Sequence, residues 1–395
     1  MDLRPNSRES APVIVEGLFS YQLGGSERVG ADVALECARR GYRVICFAFY
    51  GSDGPIRLEL ERAGIRCFDL NYLSRPRFIR RFTYQATLVR FLRQQNAYAI
   101  HIHHSTSLIL GVLAARIAGA KSIVMTEHSL LELQTMPKYQ RQSRRYCRFA
   151  NAISVVHPSQ ESFFLSVLKV PREKLHYVPN GVRISQPSVA RRVALRTALG
   201  ATEDTFVWMF AGRLATVKGL PDLIHAFAIA RARNNPQFRL VLIGDGTERA
   251  ALEHLCQSLS LGEAVSFLGF RSDVPALLEA ADGFVMSSLS EGVPMVLLEA
   301  MAARIPCIAT AVGGIPELLG DGAGHLVPAS NPNRLAEAML ALAGEPEERK
   351  RLSQVAFSKV AATNDLDKVV DRYLELFGLP AKWPMASPAS DARMN

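Results

Sequence analysis

Short apolar runs alternate with stretches of helical spacing along almost the whole chain. In the first half the runs Pro12–Gly17, Tyr42–Phe49, Ile65–Leu70, Ala97–Ile102, Ser122–Thr126, Ala152–Val156 and Leu175–Val178 predict strands. Segments of helical period, such as Glu27–Arg40, Phe78–Gln94 and Pro158–Leu168, lie between them. Such βαβ alternation predicts an α/β fold with a doubly wound parallel sheet. The stretch Asn180–Ala190, with Gly181 and Pro187, loses periodicity and reads as a linker. The pattern then restarts, with strands at Phe206–Ala211, Arg239–Ile243, Val265–Leu268, Gly283–Met286, Cys307–Ala309 and Gly324–Val327. Helices are predicted from Leu220, Glu248, Val274, Pro294 and Pro332, and a last one over Leu366–Phe377. Two similar sheets joined by one linker predict a hinged cleft, and each sheet offers a crevice at the carboxyl ends of its strands. The domains expected are 1–182 and 183–364, then a C-terminal helical segment 365–380 and a disordered tail 381–395.

A chain of 395 residues suits two such domains better than one core. The six cysteines lie far apart without a Cys-x-x-Cys pair, which predicts reduced thiols, a cytoplasmic setting and no metal cluster. The polar first ten residues predict no signal peptide. The longest apolar stretch, Ser107 to Gly119, is interrupted by Arg116 and too short to span a bilayer. A net charge of +9 fits nucleic acid, phosphorylated ligands or an anionic membrane surface, and its distribution must choose.

The densest chemistry runs from Ser287 to Ala302. A strand ends near Met286, Glu291 and Gly292 follow in a loop, and Pro294 suits the first turn of a helix. The amides of Met295, Val296 and Leu297 would then stand unpaired, a setting that favours anions and hydroxyl oxygens. Glu299 lies deeper on an otherwise apolar helix and needs a partner: a pair of sugar hydroxyls, a neighbouring Arg or water. Upstream, the strand ending at Ala211 opens into a loop carrying Arg213 and Lys218 before Gly219. Two cations there could stabilise a departing diphosphate without a metal, although either alone reads equally as a surface charge. Gly24 and Gly25 join the first strand to the first helix, where a backbone can approach a phosphate, or simply turn. No Gly-x-Gly-x-x-Gly follows any strand, which argues against a dinucleotide dehydrogenase.

His128 follows the strand Ser122–Thr126 at its carboxyl end. The cluster His101, His103 and His104 lacks carboxylates at ligand spacing and reads as structural. Arg75, Arg77, Arg80, Arg81, Arg90 and Arg93 stand among aromatic and aliphatic residues, as do Lys138, Arg141, Arg144, Arg145 and Arg148. Such segments suit an anionic membrane surface or a lipid-phosphate acceptor, or else a solvated helix face packed on a core. No nucleic-acid motif accompanies them, and no nucleic-acid partner is expected.

Together these elements resemble the family-4 retaining glycosyltransferases, which have the GT-B fold, two Rossmann-like domains facing across a cleft. The resemblance runs from about Pro12 to Phe377 and rests on Glu291-x7-Glu299, Gly212-Arg213, Lys218-Gly219, Gly24-Gly25, Thr126-Glu127-His128, Pro179-Asn180-Gly181-Val182 and Ile243-Gly244-Asp245-Gly246. It implies that Arg213 and Lys218, helped by Gly25, hold a donor diphosphate, and that Glu299 binds ribose hydroxyls. Glu291 and the segment Gly292, Val293, Pro294, Met295, Val296 would hold the transferred sugar. His128 would lie near the reacting carbon, and Gly269-Phe270-Arg271 would line the base pocket. It further implies a metal-independent, retaining transfer from a nucleoside diphosphate sugar, without cofactor. The basic segments add a lipid-linked or membrane-proximal acceptor in polysaccharide assembly, and a peripheral place on the inner face of the cytoplasmic membrane. A sugar-nucleotide epimerase of the same fold and a non-catalytic scaffold subunit remain as alternatives; a phosphorylase would carry a pyridoxal-binding Lys motif that the chain lacks.

Overall fold

The computed structural model describes residues 10–51, 53–70, 80–103, 105–234 and 237–384. The chain forms two compact units, one from Val182 to Asp365 and one from the residues on either side of it.

The N-terminal unit is built on β1 (Val13–Leu18), β2 (Arg43–Ala48), β3 (Arg66–Asp69), β4 (Ala97–His103), β5 (Ser122–Glu127), β6 (Ala152–Val155) and β7 (Leu175–Tyr177). They pair in the order β3-β2-β1-β4-β5-β6-β7, and every pair is parallel. Its helices are α1 (Gly25–Arg39), α2 (Pro55–Arg62), α3 (Arg80–Gln94), α4 (Ser105–Ala118), α5 (Leu131–Thr135), α6 (Pro137–Tyr146) and α7 (Glu161–Ser166). Helices on both faces explain why these strands read as continuous apolar runs rather than alternating ones. On β1, Val13 and Val15 join the core shared with α3 and α4, whereas Ile14 and Leu18 join the core shared with α1. The period-two alternation of strand side chains then puts Glu16 on the α1 face, where it is fully buried.

The second unit carries β8 (Phe206–Ala211), β9 (Phe238–Ile243), β10 (Val265–Gly269), β11 (Gly283–Met286), β12 (Cys307–Thr310) and β13 (His325–Val327). These strands pair in parallel in the order β10-β9-β8-β11-β12-β13. Its helices are α8 (Val189–Ala198), α9 (Leu220–Asn234), α10 (Arg249–Ser258), α11 (Val274–Leu278), α12 (Met295–Ala302), α13 (Ile315–Leu319), α14 (Pro332–Gly344) and α15 (Pro346–Thr363).

The chain returns to the first unit through α16 (Leu366–Phe377). Leu366, Val369, Val370, Tyr373, Leu374 and Phe377 recur at three- and four-residue spacing and bury one stripe of this helix in the core shared with α1. Arg40 donates to the Asp367 carbonyl at 2.7 Å and pairs with Asp371, which ties the opposite edge. At the return, the Val182 amide donates to the Asn364 carbonyl at 2.8 Å, and Val182 bridges in parallel with Asp365. A Cβ on Gly181 would stand 3.1 Å from the Cα of Leu366.

Part of the segment expected to be disordered is held in place. The Trp383 amide donates to the Arg40 carbonyl at 3.1 Å and its ring packs near Tyr42, while residues 385–395 lie outside the described residues. All six cysteines are free and buried. No helix among the described residues is long and apolar enough to cross a membrane.

Candidate functional site

In each sheet the strand order reverses at one place, between β1 and β4 and between β8 and β11. Loops leaving the carboxyl ends of strands diverge there and open a crevice. Gly24, Gly25, Arg213, Lys218 and Glu291 lie on those loops, whereas His128 follows β5, Phe270 follows β10 and Glu299 lies within α12.

In the second unit the loop after β8 is locked to its neighbours through backbone. The Gly212 amide donates to the Ile243 carbonyl at 2.9 Å, and the Leu214 amide to the Asp245 carbonyl at 2.9 Å. Gly219 has a left-handed backbone (φ 57°), and a Cβ there would lie 2.3 Å from the Ser287 carbonyl oxygen. Only glycine lets the loop after β8 lie this close to the loop after β11. Two further bonds fasten them: Ser287 Oγ donates to the Lys218 carbonyl at 3.0 Å, and the Leu289 amide to the Val217 carbonyl at 2.8 Å.

This contact brings Lys218 and Glu291 together, 73 residues apart in sequence, with Nζ 2.6 Å from Oε1. The same Oε1 accepts the Ser288 hydroxyl at 2.6 Å. Behind Glu291, Gly313 (φ 56°) comes so near that a Cβ would sit 1.8 Å from the Glu291 carbonyl oxygen. The Gly314 amide donates to the Gly292 carbonyl at 3.0 Å. Pro294 is the residue before α12 rather than part of its first turn, with φ −71° and ψ 117°. Its carbonyl accepts the Leu297 amide at 3.1 Å, so Leu297 is not one of the open donors expected. The amides of Met295 and Val296 donate to no described group, as the first amides of a helix do. Val293 packs on the core, and Glu299 is half-buried one turn inside α12.

Arg213 is exposed and its guanidinium makes no hydrogen bond or ion pair with a described residue. It shares the loop of Lys218 without joining the Lys218–Glu291 pair. Phe270 is 49% exposed at the end of the edge strand β10, just after Gly269 (φ 66°).

In the first unit Gly24 and Gly25 stand at the head of α1, with Gly24 extended (φ −145°, ψ 162°). The buried carboxylate of Glu27 folds back over this turn, so that a Cβ on Gly24 would meet its Oε2 at 2.2 Å. Ser26 Oγ donates to that Oε2 at 2.8 Å. An acid in the first turn of a helix is favourably placed against the amide dipoles. The turn therefore holds an acidic side chain that the glycine pair alone did not suggest.

His128, half-buried just beyond β5, lies 3.0 Å by Nε2 from Nδ1 of His103, with the two rings stacked. His103 Nε2 is 3.0 Å from Glu16 Oε2, and His101 Nδ1 is 3.1 Å from the same oxygen. His101 Nε2 is 2.7 Å from the Thr126 hydroxyl, which also meets Ser154 and, at 3.1 Å, Tyr373. The sequence reading found no carboxylate for these histidines; folding supplies Glu16, from 85 residues upstream of His101. Its signal was a charge inside an otherwise apolar strand, which demands a partner. Glu16, His101 and His103 offer atoms within 4.8 Å of one another, the closeness a divalent ion requires. Here those atoms are spent on hydrogen bonds among themselves. Burial by itself pushes the Glu16 carboxyl upward, but His101 and then His103 more than reverse this and hold it below the ordinary carboxylate value. His104, Arg75 and Arg77 lie outside the described residues.

The described parts of the basic segments fold mainly as the helices α3 and α6. Lys138, Arg141, Arg144, Arg145 and Arg148 are exposed, while Tyr139, Tyr146 and Phe149 pack on the core, so these aromatics are not offered to a membrane. A shallow depression of about 320 Å³ among Lys138, Arg141 and Arg145 includes none of the residues expected to bind a donor. On α3 the one aromatic turned outward is Phe82, 80% exposed, while Tyr84 and Phe91 are buried.

Two family models match successive parts of the chain. A family model described as Glycosyltransferase Family 4 matches residues 23–186, and one described as Glycosyl transferases group 1 matches residues 192–359. A UDP-Gal:alpha-D-GlcNAc-diphosphoundecaprenol alpha-1,3-galactosyltransferase from Escherichia coli is 29% identical over 273 residues, 66% of this chain and 70% of that protein. N-acetyl-alpha-D-glucosaminyl L-malate synthase from Bacillus anthracis is 25% identical over 372 residues, 91% of this chain and 96% of its own. Among solved structures, Anabaena Alr3699/HepE in complex with UDP superposes with a TM-score of 0.78 at 24% identity, over 93% of this chain and 99% of that one. At such identity the structural likeness speaks for the fold.

Proposed function

We propose that this chain, which belongs to the family-4 glycosyltransferases of GT-B fold, moves a hexosyl unit from a nucleoside diphosphate sugar to a lipid-linked or membrane-proximal acceptor. The transfer retains the anomeric configuration and uses no metal ion. The observation that carries this reading is the meeting of Lys218 and Glu291 at the β8/β11 crevice, beside the open amides of Met295 and Val296. A cation, an acid and two donors on one loop pair match the needs of a sugar diphosphate. The diphosphate gains negative charge as the glycosidic bond breaks, and a preorganised ammonium and guanidinium stabilise that charge more than they stabilise the bound donor.

In this reading Lys218 and Arg213 hold the diphosphate, Arg213 as the bidentate member. Glu291, Gly292 and the α12 amides hold the hydroxyls of the sugar, and Glu299 takes the ribose. Phe270 lies alongside the base. In the first unit Gly24 and Gly25 serve the phosphate and His128 the reacting centre. The name of the Escherichia coli relative states a UDP-galactose donor and a diphosphoundecaprenol acceptor, which supports both halves of the proposal. The exposed cations of α6 support an acceptor presented at an anionic surface.

The test is hydrolysis and transfer from a panel of nucleotide sugars, with wild type, Lys218→Ala and Arg213→Ala, each with and without EDTA. Loss of one transition-state donor is expected to lower kcat about 100-fold. Undiminished turnover in both variants refutes the diphosphate roles, and a rate that collapses in EDTA and returns with magnesium refutes metal independence. No turnover from any donor, even with membrane extract as acceptor, would favour a scaffold.

A further inference from the structure

The buried chain of polar groups on the α1 face of the N-terminal sheet is longer than packing requires. Apolar side chains of similar volume would fill that space without the cost of burying a charge. From one end to the other it runs Tyr373, Thr126, His101, Glu16, His103, His128, each bonded to the next. Glu16, His101 and Thr126 are fully buried and His103 is 1% exposed; only His128, at the carboxyl end of β5, is half-buried.

We propose that Glu16 and His103 are positioning residues that dictate which ring nitrogen of His128 carries a proton, and so set the acid–base state of His128. This rests on the reading in which His128 serves glycosyl transfer. The logic is that of donors and acceptors. An ionised Glu16 only accepts, so His101 must donate from Nδ1 and His103 from Nε2. His101 then accepts the Thr126 hydroxyl proton at Nε2, and Thr126 accepts from Tyr373. One choice remains, at the 3.0 Å contact between His103 Nδ1 and His128 Nε2. A neutral His103 has a lone pair at Nδ1, so His128 must donate from Nε2 and its Nδ1 is the basic atom. An imidazolium His103 donates from Nδ1, so His128 accepts at Nε2 and holds its proton on Nδ1. Across this contact, the charge on His103 selects whether His128 Nε2 donates or accepts.

Titratable groups on three neighbouring elements face this chain. Burial raises the Cys37 thiol on α1 well above its ordinary value and the Tyr373 hydroxyl on α16 to about 12, so both stay protonated near neutrality. The Glu127 carboxylate on β5 accepts the Ser129 amide at 3.2 Å. Space for the ring is kept by Gly30 of α1, where a Cβ would stand 2.9 Å from His103 Nε2.

The test joins histidine ¹⁵N spectroscopy to kinetics on the full-length protein. In wild type the His128 ring is expected in one tautomer at a given pH, passing to the other in a single titration step. Glu16→Gln keeps the shape but can donate as well as accept, and is expected to leave His128 in a mixture. The same variant should lower kcat at least about tenfold, as lost outer-shell support does, with the donor KM within about twofold and a displaced limb in the pH profile. Glu16→Gln combined with His128→Ala should be no slower than His128→Ala alone. A mixed tautomer in wild type at pH values well away from that step overturns the proposal without any variant, and so does a Glu16→Gln spectrum unchanged at His128. Stoichiometric divalent metal in wild type that Glu16→Gln removes would replace the relay with a metal site. A single His128 tautomer in a protein that turns over no nucleotide sugar would sink the transfer reading and keep the relay; turnover with an unconfined His128 would do the reverse.

Discussion

Gly30 sits in the middle of α1, where alanine would be favoured by about 1 kcal/mol on helix propensity alone. Its neighbours decide otherwise. A methyl there would press on Leu18, which can yield, and on His103, which is bonded to Glu16 on one side and His128 on the other. Overpacking of this kind costs about 1–3 kcal/mol, so Gly30→Ala is expected to lower thermal stability despite the better helix former. A variant more stable than wild type in a melting experiment would show that the ring has room to retreat. The same position explains a limit of the sequence reading. His103 lies 87 residues from Glu16, and neither they nor Gly30 form a motif; a glutamate amid Val, Ile and Gly was the visible sign, but naming its partners required the strand order. Lys218 and Glu291 were legible because each stands in a loop directly after a strand, where local sequence suffices.

Among elements, every strand in the described residues was readable within a residue or two, because strands covered on both faces are apolar throughout. Helix α8 was not. It starts inside the stretch read as a linker, and its apolar residues Val189 and Val193 are exposed. Leu195 packs on the core, and the other anchors are polar: Arg196 pairs with Asp282 at 2.7 Å and Arg191 with Glu279 at 2.9 Å, partners more than 80 residues away that no local period can reveal. Helix α16, by contrast, announces itself by its stripe, and its burial makes a pH prediction. Burial raises the Tyr373 hydroxyl from 10.0 to about 12, and a group raised in the folded state lends stability that is complete below its unfolded value. Above pH 10 the unfolded chain loses this proton first, so stability should fall until the folded hydroxyl ionises as well. Tyr373→Phe is expected to cost about 1 kcal/mol near neutrality and to flatten the decline between about pH 10 and 12. Melting curves across that range test it, and a decline as steep as wild type's would assign the effect to other groups.

At the level of the whole molecule, the net charge of +9 is the broadest feature, and the exposed cations of α6 give it a place to act. Binding to anionic vesicles should weaken steeply as salt shortens the screening length from about 10 Å at 0.1 M to about 3 Å at 1 M. With Tyr139 and Tyr146 turned to the core, α6 itself offers little apolar insertion to sustain it. Sedimentation with such vesicles that is absent, or indifferent to salt, would remove the membrane from the proposal. A different consequence follows from the two crossings at Gly181–Val182 and Asp365–Leu366. The ribosome delivers the middle of the molecule before it delivers the last piece of the beginning. The domain translated second is thus complete first, and the one translated first must wait for Phe377. Until then a nascent chain carries an N-terminal sheet whose Ser122, Thr126 and His101 lack the helix that covers them. Domains generally fold in order of synthesis; this one is expected to finish out of order, with its exposed interval set by the time needed to translate the insert.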